Sequence, residues 1–338
     1  MIKAPVAASA GRRVTIRDVA EAARVSRQTV TRAMNDMPGI NAGTKERVLL
    51  AARELGYHPS RFGRGLVLHD HHTIGLVIDN LVNPYYPELS SAVVTRAAER
   101  GWTVVLMDCS GVDNQRDLIG QLADQVDALI GYVHLDYEEL SRLLPGVPVV
   151  RIDAPDPTAV PGSVNFDLGR GMAEVVDHLL QRGVRRPVML DSSRDESGLT
   201  ERARQFIKLM QGHGISAPVL HAGGDQLSDG IRATTEIITT MPRTDAIMCF
   251  NDITAFGALK ALRQHGREVP RDVRVVGVDG LAAGTYVTPM LTSLALDMTK
   301  VAAAAVDIAL GRLDGSIAAG SRGARRKVRH KLVIREST

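Results

Sequence analysis

Aromatic residues are scarce, at 4% of the 338 residues, with one Trp, six Tyr and five Phe. The core must therefore be packed mainly by Ala, Val, Leu and Ile, and a pocket has few rings to offer a ligand. Cysteine is nearly absent. Cys109 and Cys249 sit in or beside strand-like runs, "WTVVLMDC" and "AIMCF", which excludes a disulfide framework and points to reduced thiols in a cytoplasmic protein. No apolar run reaches the ~18 residues needed to cross a bilayer, since "VAAAAVDIAL" is interrupted by Asp307 and preceded by Lys300. No membrane association is expected. "MIKAPVAASAGRR" falls short of a signal peptide because its apolar part is short, Ala-rich and broken by Pro5, so residues 1–13 are expected to be a disordered arm. Catalytic motifs are missing too: there is no Walker loop, no GxSxG, no HExxH and no spaced Cys/His cluster. Neither an enzyme, nor a metal site, nor a cofactor is expected.

What is present falls into two unequal parts. The length fits roughly two to three domains of ~100–200 residues. Residues 1–66 carry 12 Lys/Arg against five Asp/Glu, a net +7, whereas the remainder carries −4. A basic head on a mildly acidic body implies that the head alone meets a polyanion. Within that head, Thr15 and Asp18 have the spacing of a capping box, opening a helix with Ile16, Val19, Ala20 and Ala23 on one face. After "ARVS", Ser26 is placed to cap a second helix that turns Val30, Ala33 and Met34 inward and Arg27, Gln28, Thr31, Arg32 and Asn35 outward. Two helices joined by about three residues make a helix-turn-helix, whose second helix fits the DNA major groove. Arg bonds guanine O6 and N7, and Gln bonds adenine N7 and N6, so Arg27 and Gln28 are suited to read bases.

The runs "VTIRDVAEAARVSRQTV" and "TVTRAMNDMPGINAGTKERVLLAARELGYHPSRFGRGL" resemble the DNA-binding head of the lactose/galactose repressor family of bacterial transcriptional regulators. Thr15, Asp18, Val25, Ser26, Val30, Asn35, Thr44, Tyr57 and Pro59 are among the residues that carry the resemblance. It implies that Arg27 and Gln28 set operator preference, while Thr15, Ser26, Thr31, Arg32, Asn35, Thr44 and Tyr57 lie near phosphates or neighbouring bases. Phosphate contacts position and base contacts specify. The resemblance also implies a hinge helix in "SRFGRGL", with Arg64 against the DNA and Leu66 as a minor-groove wedge. Gly63 and Gly65 depart from the family pattern, and each weakens a helix by ~0.5–1 kcal/mol relative to Ala. The expected divisions are a head over 14–59, a hinge and polar linker over 60–72 containing His69, His71 and His72, and a core over 73–338.

From Thr73 the chain alternates strand-like and helix-like segments, which predicts parallel sheets covered by helices. A first round runs from "TIGLVID" to "PVVRID", and a second round is expected to begin at "SVNFD". The fold class is therefore α/β: a small all-α helix-turn-helix head plus a two-lobed, doubly wound α/β core resembling periplasmic sugar-binding proteins (type I). The resemblance places an effector in the cleft at the strands' carboxyl ends, as open α/β sheets generally do. It assigns effector contacts to Tyr85 and Tyr86 of "NPYY", and to Asp167, Arg202, Asn251 and Asp279. Asp252 reads as a helix cap. Gln226, Gly280 and Leu296 depart from residues common in the family, which implies an effector unlike lactose- or galactose-type sugars. "GSRGARRKVR" is expected to be a solvated loop, and the absence of leucine heptads after "HKLVIREST" points to a homodimer.

These expectations describe a DNA-binding regulator in the cytoplasm, associated with the nucleoid. Its dimer grips a pseudo-palindromic operator on double-stranded DNA, and a small molecule, a sugar or sugar derivative, controls its affinity. Control by a protein partner, an effector-free regulator and a solute-binding protein stay open as alternatives.

Overall fold

The computed structural model describes residues 15–34, 37–55, 72–110, 115–123, 125–154, 156 and 160–338. The expected arm over 1–13, Asn35, Tyr57, the hinge segment with Arg64 and Leu66, and His69 and His71 lie outside the described residues. The chain divides into two units, Met1–His71 and His72–Thr338.

The described part of the first unit consists of α1 (Ile16–Ala23), α2 (Arg27–Met34) and α3 (Ala42–Glu54). The cap read from the sequence forms at the start of α1, where the Asp18 carboxylate accepts both the N–H and the hydroxyl of Thr15 at 2.7 Å. Arg24 ends α1 in the left-handed conformation, φ 54°, and its N–H bonds back to the last turn. Ser26 then caps α2 by accepting from the Thr29 N–H at 3.1 Å. Val19, Val30 and Val48, one from each helix, are fully buried against each other's small neighbours Ala20, Ala23, Ala33, Ala51 and Ala52. Such small side chains allow a close approach of three short helices, none of which would be stable alone.

The second unit has two lobes. In the first, β1 (Thr73–Ile78), β2 (Thr103–Asp108), β3 (Ala128–Gly131), β4 (Val149–Ile152), β5 (Ser163–Asp167) and β11 (Arg325–Arg329) form an all-parallel sheet in the order β11-β5-β4-β3-β1-β2. In the second lobe, β6 (Pro187–Asp191), β7 (Val219–His221), β8 (Ala246–Cys249), β9 (Arg274–Asp279) and β10 (Thr292–Ala295) are parallel, and β12 (Lys331–Val333) lies antiparallel to β10 at the edge.

The strands' period of two divides their side chains between the two faces of each sheet. Ile74, Leu76 and Ile78 pack against α4 (Tyr85–Glu99) and α11 (Met298–Leu313), while Val77 turns toward α5 (Gln115–Leu122) and α6 (Tyr137–Leu143). In the second lobe Met189 and Met248 meet α7 (Gly169–Gln181) and α8 (Glu201–Gly212), and Leu190 and Ile247 meet α9 (Leu227–Thr240) and α10 (Asp252–Gln264).

Three expectations are corrected. "SVNFD" does not open the second lobe: β5 extends the first sheet beside β4, and the chain crosses over only after Asp167. Its buried Ser163 and Val164 match the next free edge of the first sheet, which periodicity alone cannot identify. The run "GSRGARRKVR" is not a solvated loop, because Arg325–Arg329 pairs in parallel with β5 as an edge strand. Ala324 and Val328 are buried there, while Arg326, Lys327 and Arg329 are exposed on the sheet edge. Asp252 is also not a cap. Asn251 accepts the Thr254 N–H at 2.8 Å in that role, and Asp252 is fully buried beneath it.

The pairing of α9 with α10 depends on close backbone approach. A Cβ on Gly257 would lie 2.4 Å from the Leu227 carbonyl oxygen and 2.9 Å from the Gly230 carbonyl carbon. Neither backbone atom can move without displacing a helix. Gly257→Ala is therefore expected to destabilise the core by about 1–3 kcal/mol despite alanine's better helix propensity, measured as a lower urea midpoint. An unchanged or higher midpoint would show that the two helices can separate freely.

Candidate functional site

Two surfaces concentrate chemistry. On the head, Ser26, Arg27, Gln28 and Arg32 are exposed along one side of α2, Thr31 is half-buried and Thr15 is exposed at the start of α1. The Thr31 hydroxyl donates to the Arg27 carbonyl at 3.1 Å, while among the described residues no such bond engages the Gln28 side chain. Thr44, half-buried in the first turn of α3, faces Arg47 at 3.5 Å. The side of α2 opposite these residues supplies Val30 and Ala33 to the head's core. Its polar side is thus left for an outside partner.

The second surface is a cavity of about 290 Å³ between the two lobes of the core, at the small end of ligand sites. Strand ends and the helix starts that follow them supply its walls. Asp79 follows β1, Tyr132 and His134 follow β3, Asp153 follows β4, and Tyr85 and Tyr86 open α4. From the second lobe come Arg202 in the first turn of α8, Asp225 before α9, Phe250 and Asn251 after β8, and Asp279 at the end of β9. Five of the six predicted effector residues, Tyr85, Tyr86, Arg202, Asn251 and Asp279, meet in this one cavity.

Asp167 does not line it. It sits where β5 crosses to the second lobe, caps the Gly169 N–H at 3.2 Å and faces Arg329 at 3.6 Å. Its carbonyl accepts the His330 N–H at 3.1 Å, which ties two of the interlobe crossovers together. Burial, with Arg202 adding to it, pushes His330 down to about 4, so this crossover histidine is neutral at neutral pH.

Sequence reasoning missed Asp79, Tyr132, His134, Asp153, Phe166, Asp225 and Phe250. The available signal was positional, since nearly all end or immediately follow a strand, where α/β sheets bind ligands.

Contacts among its own side chains hold the cavity's walls. Tyr85, Tyr86 and Tyr132 pack edge to face with centroids 5.2, 5.3 and 6.2 Å apart. The hydroxyls of Tyr85 and Tyr132 meet at 2.6 Å, while Tyr86 donates to Asp79 at 2.8 Å and His134 meets the other Asp79 oxygen at 2.9 Å. Arg202 donates to the Phe250 carbonyl at 2.6 Å, covers the Phe250 ring at 4.5 Å and lies 3.6 Å from Asp279. Asn251 uses its amide to cap α10 and to reach the Asp225 carbonyl at 3.2 Å.

Asp279 has φ 117°, a left-handed conformation costly for a residue with a side chain, and Gly280 follows at φ 77°. A Cβ on Gly280 would approach the Ala295 Cβ to 2.2 Å, which explains the glycine there. Leu296, another departure, is buried in the apolar core, and Gln226 donates to the Asp225 carboxylate at 2.7 Å.

A grouping of Ser193, His221 and Asp191 lies nearby. The Ser193 hydroxyl donates to Asp191 at 2.6 Å and meets His221 Nδ1 at 2.8 Å. In a nucleophilic triad the carboxylate orients the imidazole, whereas here it holds the serine proton. Asp191 also accepts from the hydroxyl and the N–H of Thr200, the cap of α8. The grouping thus braces the helix that presents Arg202.

Beneath the cavity, Asp252 accepts from the Ser293 hydroxyl at 2.6 Å and from the Leu281 N–H at 2.7 Å. Burial, reinforced by the neighbouring Asp279 charge, raises the Asp252 pKa well above the ordinary carboxylate range. Asp279 is raised by burial as well, with Arg202 opposing the shift. A raised carboxylate binds more protons folded than unfolded, so its contribution to stability is present in acid and is lost as pH rises toward the folded pKa. Asp252→Asn is expected to flatten the stability profile between about pH 4 and neutrality by up to ~1.4 kcal/mol per pH unit per proton. Urea unfolding of parent and variant at several pH values checks this, and parallel profiles would refute it.

Comparison with known proteins places these surfaces in context. The family profile described as bacterial regulatory proteins, lacI family, matches residues 15–60, and that of a periplasmic binding protein-like domain matches residues 176–338. The chain is 29% identical over 327 residues to the ribose operon repressor of Halalkalibacterium halodurans, covering 96% of this chain and 97% of that protein. A LacI family transcriptional regulator from Arthrobacter sp. FB24, solved in complex with lactose, is 34% identical with a TM-score of 0.74, over 79% of this chain and 98% of that one. The lac repressor dimer bound to operator and the anti-inducer ONPF is 26% identical with a TM-score of 0.78, over 97% of this chain and 99% of that one. A helix-turn-helix head followed by two α/β lobes with a cleft between them, matched over nearly its whole length by repressors, makes this chain a member of the LacI family of DNA-binding transcriptional repressors, which are not enzymes.

Proposed function

We propose that the chain represses transcription as a homodimer on a pseudo-palindromic operator, and that a small polyhydroxylated molecule in the interlobe cavity sets its operator affinity. The observation that carries this reading is a cavity whose walls come from both lobes, so that an occupant bears on the angle between them. In the head, Arg27 and Gln28 read base edges, while Thr15, Ser26, Thr31, Arg32, Asn35 and Thr44 hold phosphates or flanking bases. Tyr57, Arg64 and Leu66 complete the grip through the hinge, and the paired heads supply the specificity that one small reader lacks. In the cleft, Arg202 and Asp279 offer a donor and an acceptor to vicinal hydroxyls beside the Tyr85 and Tyr86 wall. A carbohydrate is supported by the lactose complex of the Arthrobacter relative and by the likeness to a ribose operon repressor. The protein acts in the cytoplasm, on the nucleoid.

Effector and operator then couple through the lobes with ~1–3 kcal/mol, and the coupling is reciprocal. Selection of bound duplexes from a random pool, at fixed salt because phosphate contacts are salt-dependent, should return a two-fold symmetric site. Ligands that raise the melting temperature should then change affinity for that site. Enrichment of no sequence would overturn the operator reading. Operator binding that no small molecule alters would instead favour control by a protein partner.

A further inference from the structure

We propose that the cleft is built for a polyhydroxylated molecule carrying a protonated amine, an amino sugar or aminocyclitol; this rests on the reading of the cleft as the effector site. The argument starts from charge. Among the described residues, four carboxylates line the cavity, Asp79 and Asp153 from the first lobe and Asp225 and Asp279 from the second, against the single guanidinium of Arg202. That guanidinium is already engaged by Asp279 and the Phe250 carbonyl. Asp79 is served by Tyr86 and His134, and one Asp225 oxygen by the Gln226 amide.

Asp153 is the exception. Among the described residues its carboxylate has no hydrogen bond and no ion pair, yet it faces the cavity from the end of β4. It is held there by a left-handed backbone, φ 54°, a conformation that costs a residue with a side chain free energy. The surrounding walls raise its pKa by withdrawing solvent, and the charge of Arg202 opposes this only in part, so the charged form has room for a further cation.

The same geometry excludes other ligand classes. A phosphate ester or sugar acid would add negative charge to a cavity whose carboxylates already outnumber its guanidinium. A quaternary ammonium needs an open aromatic cage, but the three tyrosine rings touch one another, with centroids no more than 6.2 Å apart, and leave no centre between them. The face of Phe250 is covered by Arg202. A neutral polyol can donate hydroxyls to Asp225 and Asp279 but leaves Asp153 with only the field of the already engaged Arg202 against its charge. An ammonium group beside Asp153, on a ring whose hydroxyls reach Asp225 across the cleft, satisfies both lobes. Because carboxylates on opposite walls repel, such a cation also favours their approach, giving the ligand different affinities for open and closed arrangements, as allosteric control requires.

The test uses full-length protein at fixed pH and salt, with binding read by thermal shift and calorimetry. The probes are glucosamine, galactosamine and mannosamine, the matching neutral hexoses, their N-acetyl derivatives and 6-phosphates, and 2-deoxystreptamine against myo-inositol. At least one amine is expected to bind, with tenfold or greater weakening when the amine is acetylated or replaced by hydroxyl. Asp153→Asn should bring the affinities of amine and neutral partner to within about threefold of each other. A neutral sugar that binds as tightly as its amine, or a phosphate that binds best, overturns the proposal while the effector-cleft reading stands. If no member of the panel binds, the proposal fails, and the effector-cleft reading fails with it for sugars of this size.

Discussion

Arg202→Leu is expected to weaken the response to effector by roughly 10- to 150-fold in ligand concentration while leaving the unliganded protein able to bind operator. The guanidinium bonds the Phe250 carbonyl, faces Asp279 and covers the Phe250 ring, so one substitution removes the cavity's donor and exposes its apolar floor. A hydrogen bond to a charged group contributes ~1.5–3 kcal/mol, which corresponds to a loss of effector affinity of roughly 10- to 150-fold. A second effect accompanies the first. Asp279, with its side chain 6% exposed, loses its cation and must bind a proton or strain the fold.

Arg202→Lys should rescue little, because an ammonium cannot meet a carboxylate and a carbonyl with a planar fork. The double variant Arg202→Leu/Asp279→Asn should recover stability relative to Arg202→Leu, since it removes the stranded carboxyl, but not ligand binding. The measurements are the melting temperature with and without any sugar that stabilises the parent, and operator affinity under the same two conditions. A variant that still responds to ligand would remove Arg202 from the site.

The second large effect concerns the head. Arg27→Ala and Gln28→Ala should each lower affinity for the selected operator by ~1–3 kcal/mol per half-site and relax sequence preference at the base each one reads. Arg32→Ala, by contrast, should weaken binding to all sequences alike and reduce the dependence of log K on log salt by about one per half-site. Arg27 and Gln28 are exposed and are not needed for the buried contacts of Val19, Val30 and Val48, so the head's stability should change little. Unchanged specificity in both variants, measured by repeating the duplex selection, would assign base reading elsewhere on the head.

The brace around Asp191 bears on the first of these results. Thr200 caps α8 and gives its hydroxyl proton to Asp191, and Arg202 lies one residue into the same helix. Arg202 is therefore aimed by backbone held from below, not by its own contacts alone. The preorganisation matters for binding, since a ligand need not order the group that receives it.

Much of this was legible in the residues. The Thr15/Asp18 cap, the Ser26 cap and the inward face of Val30 and Ala33 follow from spacing along a single helix, and each was found where its spacing puts it. The alternation of strand and helix was equally plain, because periods of two and 3.6 are local properties of the chain. Candidate effector residues close to a strand end or a helix start, such as Tyr85, Arg202 and Asp279, were carried over by resemblance and came together in one cavity.

Tertiary structure alone decided which sheet each strand joins. β5, β10 and β11 are short apolar or mixed segments with interchangeable patterns, and their neighbours are chosen by pairings between residues far apart in the chain, such as Arg325 with Ser163. That choice moved Asp167 to an interlobe crossover, turned a basic run into an edge strand and sent the apolar helix Met298–Leu313 back to cover the first lobe. It also set the charge of the cleft. Asp79, Asp153, Asp225 and Asp279 are separated by long stretches of sequence and share a cavity only because parallel strands bring their carboxyl ends to one side of each sheet. The sequence by itself determined a DNA-reading head on a two-lobed α/β core, since caps and periodicity act within a few residues. The charge of the cleft was decided by long-range strand order, the one level at which distant side chains become neighbours.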